Sequence, residues 1–95
     1  MQNYKFIFEY NRDSDKSTPH KINKTKELFS LLAEYSFLSI GFSCGKNTDK
    51  DTICNFNTYI KEGVNIKDLK YKLFLIWGEY IYIEQNELKR FKNEN

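Results

Sequence analysis

The sequence predicts an α+β fold in two layers. A mainly antiparallel sheet of about five strands, in the order β-α-β-β-β-β, carries one main helix on one face. Three observations lead there. Residues 4–10 alternate with a period of two, and residues 28–35 repeat apolar side chains with the period of a helix. The chain also holds eight Phe and seven Tyr, against a single alanine, Ala33, a composition suited to a pleated, half-buried surface.

In the first strand Tyr4, Phe6, Phe8 and Tyr10 share one face, with Lys5, Ile7 and Glu9 on the other. Residues 11–21 have no apolar side chain except Pro19 and read as a solvated loop. The helix spans about 24–36, with Asn23 as its N-cap and Leu28, Leu31, Leu32 and Tyr35 as one apolar stripe. Phe37 to Cys44 and Thr52 to Ile60 read as the second and third strands, joined by the polar run 45–51. Asn65-Ile66-Lys67-Asp68 reads as a single helical turn.

The stretch 69–85 reads as a β-hairpin, because two aromatic and β-branched runs flank Gly78-Glu79, and Gly at the first central position suits a type II′ turn. Alternation then places Phe74, Ile76, Ile81 and Ile83 on the buried face. Trp77, Tyr80, Leu75, Tyr82 and Leu73 fall on the other face, with Tyr71 further out. A helix over 66–83 competes, since Ile66, Leu69, Leu73, Ile76, Trp77 and Tyr80 fall near helical spacing. With Tyr71, Phe74, Leu75, Ile81 and Tyr82 it would be apolar all round, and an internal Gly78 would cost about 1 kcal/mol. The hairpin is therefore the reading adopted. Asn86 then caps a short C-terminal helix carrying Leu88 and Phe91.

The 95 residues, 40% of them hydrophobic and 17% aromatic, suffice for one core, so a single domain over 1–95 is expected. A formal net charge of +2 singles out neither nucleic acid nor membrane as a partner. Met1 to Lys5 leads into a strand rather than a signal peptide, and no apolar run approaches the roughly 20 residues that span a bilayer. A soluble cytoplasmic protein with no membrane partner is the expectation. Cys44 and Cys54 read as small buried thiols, although neighbouring strands would also allow a bridge.

No catalytic motif emerges. His20, the only histidine, lies in a polar loop without a nucleophile nearby. One His and two separated Cys lack zinc spacing, and Asp49-Lys50-Asp51 has too few oxygen ligands for calcium. Gly45-Lys46-Asn47-Thr48 lacks the upstream glycine of a phosphate loop, because position 40 is Ile40. Hence no enzyme activity, metal or cofactor is expected.

A motif-free domain with surplus aromatic surface is suited to covering another protein. The expected function is a small protein-binding module, a stoichiometric inhibitor of the immunity, antitoxin or phage anti-defence type. Its partner would be a toxin or defence enzyme. The expected contact residues are Tyr71, Leu73, Leu75, Trp77, Tyr80 and Tyr82, since Tyr and Trp join apolar area to a hydrogen-bonding tip. The alternative is single-stranded nucleic acid on an aromatic and lysine-bearing sheet face. Against it stand the missing βαββαβ order and aromatic signature of RNA-recognition domains. An exposed strand edge also admits a homodimer.

Overall fold

The computed structural model describes residues 2–10, 23–41, 46–47 and 50–92. The elements are β1 (Gln2–Tyr10), α1 (Thr25–Tyr35), β2 (Ser36–Gly41), β3 (Lys46–Asn47), β4 (Lys50–Ile60), α2 (Ile66–Trp77), β5 (Tyr80–Glu84) and β6 (Glu87–Phe91). The sheet is open and antiparallel, in the order β2-β4-β1-β5-β6, with the two-residue β3 paired to the start of β4. Setting β3 and β6 aside, the order β-α-β-β-α-β is that of split β-α-β folds of the ferredoxin-like type. The predicted fold class holds, and the expectation that βαββαβ order is missing is corrected.

The first strand and helix follow their local patterns. Tyr4, Phe6 and Phe8 are buried, while Lys5, Ile7 and Glu9 are only half-buried on the opposite face. In α1, Leu28 and Leu32 are buried, and Leu31 and Tyr35 pack against the same core. Asn23 is not the cap. Lys24 holds that position in a helical conformation with no side-chain cap hydrogen bond. The expected loop 11–21, with His20, and Cys44 at the end of the predicted second strand lie outside the described residues. Cys54 is on β4, opposite Phe8 of β1.

The expected hairpin at Gly78-Glu79 is not formed. Residues 66–77 are α2, which buries Leu69, Leu73 and Trp77 along one stripe. The Asn65 side-chain oxygen caps it by accepting from the N–H groups of Lys67 at 3.1 Å and Asp68 at 3.3 Å. The objection to a helix was that it would be apolar all round, and stopping at Trp77 removes it. Ile81 and Tyr82 pass to a strand, and Gly78 moves from the helix interior to its end. There Gly78 has φ 97° and ψ −153°, a region essentially closed to other residues.

The C-terminal helix is likewise replaced by strand β6. Gln85 and Asn86 both have positive φ, 53° and 64°, as the two central residues of a type I′ hairpin turn require. The real hairpin is thus β5–β6, one turn later in the chain than the predicted one.

Both helices contribute to one core against the same sheet face. Trp77 packs edge-on to Phe8 at 5.5 Å between ring centroids, and Phe74 meets Phe91 at 5.8 Å. Lys72 Nζ donates to the Tyr35 hydroxyl at 2.5 Å, joining α2 to α1. Sequence reading foresaw one main helix and missed the second.

Candidate interaction surface

Strand register assigns the faces. Tyr82 lies opposite Phe6 on β1, and Glu84 lies opposite Tyr4. Residues directly opposite each other point to the same side, so Tyr80 and Tyr82 join Tyr4, Phe6 and Phe8 under the helices. Of the six expected contact residues, Leu73, Trp77, Tyr80 and Tyr82 are buried in the core. Only Tyr71 and Leu75 are exposed, on the outer side of α2. The expected pooling of all six on one hairpin face is therefore corrected. Two of their polar tips are satisfied internally. The Tyr80 hydroxyl donates to the Lys70 carbonyl at 2.8 Å, and Trp77 Nε1 donates to the Glu9 carbonyl at 3.3 Å.

The opposite sheet face is left open by the helices. Ile83 sits between Lys5 of β1 and Leu88 of β6, and Ile81 between Ile7 and Arg90. Asn55 and Asn57 of β4 continue these two rows. Leu88 is 67% exposed, and Ile7, Ile81 and Ile83 are half-buried. At the far corner Tyr59 lies opposite Phe37, both exposed, with Lys61 Nζ 5.3 Å from the Phe37 ring centre. A shallow depression beside Ile83 is lined by polar groups that include Lys5, Asn57 and Asn86.

Sequence alternation about Gly78-Glu79 places Ile81 and Ile83 in the core, whereas the register with β1 places them on this open surface. The signal that finds it is β1. Its aromatic face needs a matching aromatic face on a neighbour, and Tyr80-Ile81-Tyr82-Ile83 offers one only through its tyrosines.

One polar cluster lies at the end of the covered face. The Tyr4 hydroxyl and Lys89 Nζ both donate to Glu84, the latter at 2.9 Å, and Lys70 Nζ stands 3.7 Å from the same carboxylate. Lys70 Nζ also lies 4.4 Å from the Tyr82 ring centre. The Tyr4 and Lys89 hydrogen bonds hold the Glu84 carboxyl below its ordinary range. Burial, and then Glu84, push the Tyr4 hydroxyl upward. These contacts tie β1, α2, β5 and β6 together.

Among the described residues, no group of three or more His, Cys, Asp and Glu is placed to hold a metal ion. No described helix is long and apolar enough to cross a membrane. No protein-family model, curated protein or solved structure matches this chain.

Proposed function

We propose that this protein is a small non-enzymatic protein-binding module, a stoichiometric inhibitor that covers its partner's functional surface with its open sheet face. One observation carries the reading: both helices lie on one side, and the other exposes Leu88 beside Ile83, Ile81 and Ile7. Apolar side chains with a polar margin of Lys5, Asn57 and Arg90 match the anatomy of a protein interface. A toxin or defence enzyme is the class of partner that a compact, motif-free blocker fits.

The test is a pull-down from the native host, with and without nuclease, followed by mass spectrometry. A stoichiometric protein that survives nuclease, and that Leu88→Lys releases while the melting temperature holds, supports the reading. Hot-spot changes cost binding roughly 2 kcal/mol or more. Capture unaffected by both Leu88→Lys and Ile83→Lys refutes this surface. His20→Ala and Cys44→Ser leave activity intact if no catalysis is involved.

Single-stranded nucleic acid is the second reading, favoured by the exposed Phe37–Tyr59 pair beside Lys61. Against it, the central strands offer Lys5, Ile7, Asn55 and Asn57 to the open face rather than stacking aromatics. Oligonucleotide binding that weakens steeply with salt would favour it over the protein partner.

A further inference from the structure

The cations on the two sides of the sheet differ in how they are paired. On the helix side Lys70 and Lys89 meet Glu84, and Lys72 meets Asp68. On the open face Lys5 and Arg90 have no carboxylate within ion-pair reach among the described residues. Glu9, the acidic side chain of β1 on this face, pairs with neither, since it stands beyond Ile7 from Lys5 and two strands away from Arg90.

Register fixes where these two charges stand. Across the sheet Lys5 neighbours Ile83, which neighbours Leu88, while Ile7 neighbours Ile81, which neighbours Arg90. Lys5 and Arg90 are thus at opposite corners of an aliphatic patch, with Ile83 and Ile81 on the diagonal between them. With strands about 4.8 Å apart and a rise of about 3.4 Å per residue, the corners are roughly 12 Å apart. Lys5 also borders the depression lined by Asn3, Asn57, Gln85, Asn86 and Ile83. Glu84 borders it too, but its carboxylate is taken by Tyr4 and Lys89. Side-chain amides add N–H donors to the lysine ammonium, a setting that suits a carboxylate.

We propose that the occupant of the open face is an acidic segment of the partner protein, an inference that rests on the open-face reading above. One carboxylate sits at Lys5 among the amides, a second at Arg90, and an aliphatic side chain lies across Ile83 and Ile81. Charge complementarity carries the choice, since unpaired cations at an interface attract a partner of opposite sign and disfavour a basic one. Arg90 presents a planar fork that takes a carboxylate through two parallel hydrogen bonds. Phosphates would meet the same cations, but the space between them is aliphatic. The exposed aromatic pair Phe37–Tyr59 lies on β2 and β4, across the sheet from Arg90 on β6, so bases held between Lys5 and Arg90 have no ring to stack on.

Selection of a random peptide display library on the immobilised full chain tests this. The wild type is expected to enrich peptides that hold Asp or Glu on both sides of an aliphatic residue. A selected peptide, synthesised, is expected to bind about tenfold or more weakly to Lys5→Glu and to Arg90→Glu at unchanged Tm, and to keep its affinity for Lys5→Arg. Arg90→Glu, at an exposed position, decides the matter should Lys5→Glu fail to fold. Selection on the double variant Lys5→Glu/Arg90→Glu is expected to turn to basic peptides. The neutral change Leu88→Gln separates this proposal from the reading it rests on. Enriched peptides that lack acidic residues and are lost on Leu88→Gln overturn the acidic partner and leave the open face standing. Enriched peptides that ignore both Leu88→Gln and Ile83→Gln refute the open face itself, and the proposal with it. No enrichment, or an affinity indifferent to both charge reversals, overturns the proposal. So does oligothymidylate that displaces the peptide and binds more tightly through Lys5 and Arg90, an outcome that makes nucleic acid the occupant.

Discussion

Tyr82 and Ile83 are neighbours in sequence on opposite faces of the sheet, and truncating each to alanine tests the face assignment directly. The Tyr82 ring lies 6.5, 6.3 and 6.3 Å from those of Tyr4, Phe6 and Tyr80, with Lys70 Nζ 4.4 Å from its centre. Removing a large buried aromatic side chain costs about 3–5 kcal/mol through lost transfer energy and the cavity left behind. The cation–π contact, near the surface, adds about 0.5–1 kcal/mol. A domain typically holds only about 5–15 kcal/mol. At about 4–8 °C per kcal/mol for a domain of this size, Tyr82→Ala should lower Tm by more than about 10 °C. Ile83→Ala should cost much less, because its face is open. Urea unfolding followed through Trp77 fluorescence is a suitable assay, since this lone tryptophan is buried against Phe8 and reports on the core. The comparison should show the midpoint falling at an unchanged slope. A Tyr82→Ala protein as stable as wild type, beside a severely destabilised Ile83→Ala, would refute the register and exchange the two faces.

Other outcomes follow from single positions. Gly78→Ala should cost about 1–3 kcal/mol in thermal unfolding. A Cβ there meets nothing within 4 Å, so that cost comes from the backbone conformation and not from a clash. Replacing Gln85-Asn86 by Asn-Gly should raise stability by roughly 1 kcal/mol, because the turn needs positive φ at both positions. Asn65→Ala should cost about 1 kcal/mol through the lost cap of α2. Glu84 has a folded pKa below its ordinary 4.5, so its contribution is present above that pH and lost as pH falls through the folded value. Glu84→Gln should flatten this acid limb of the stability–pH curve. Burial, and then Tyr82, push the Tyr80 hydroxyl above its ordinary 10.0. That contribution is present below pH 10 and lost above it, and Tyr80→Phe should flatten the alkaline limb.

What the sequence determined by itself are the elements whose local period has one reading. Tyr4, Phe6 and Phe8 alternate without interruption, and Leu28, Leu31, Leu32 and Tyr35 repeat at helical spacing. Those patterns, with the aromatic composition, sufficed for an α+β fold and for an open face somewhere on the sheet. Between 66 and 91 the local evidence is divided. Leu69, Leu73 and Trp77 fit a helix, while Tyr71, Phe74 and Ile76 between them are β-prone, and Gly78 suits a hairpin turn and a helix end alike. Tertiary structure resolved the tie. A helix stripe fills the space between Phe8 and α1, and Tyr80 and Tyr82 enter the sheet beside β1, where Tyr82 meets Phe6. The face of each residue in β5 depends on that register, and a shift of one residue would exchange the tyrosines for the isoleucines. The covered and open faces were therefore decided by a partner strand more than 70 residues away in the chain, a distance no local period reaches.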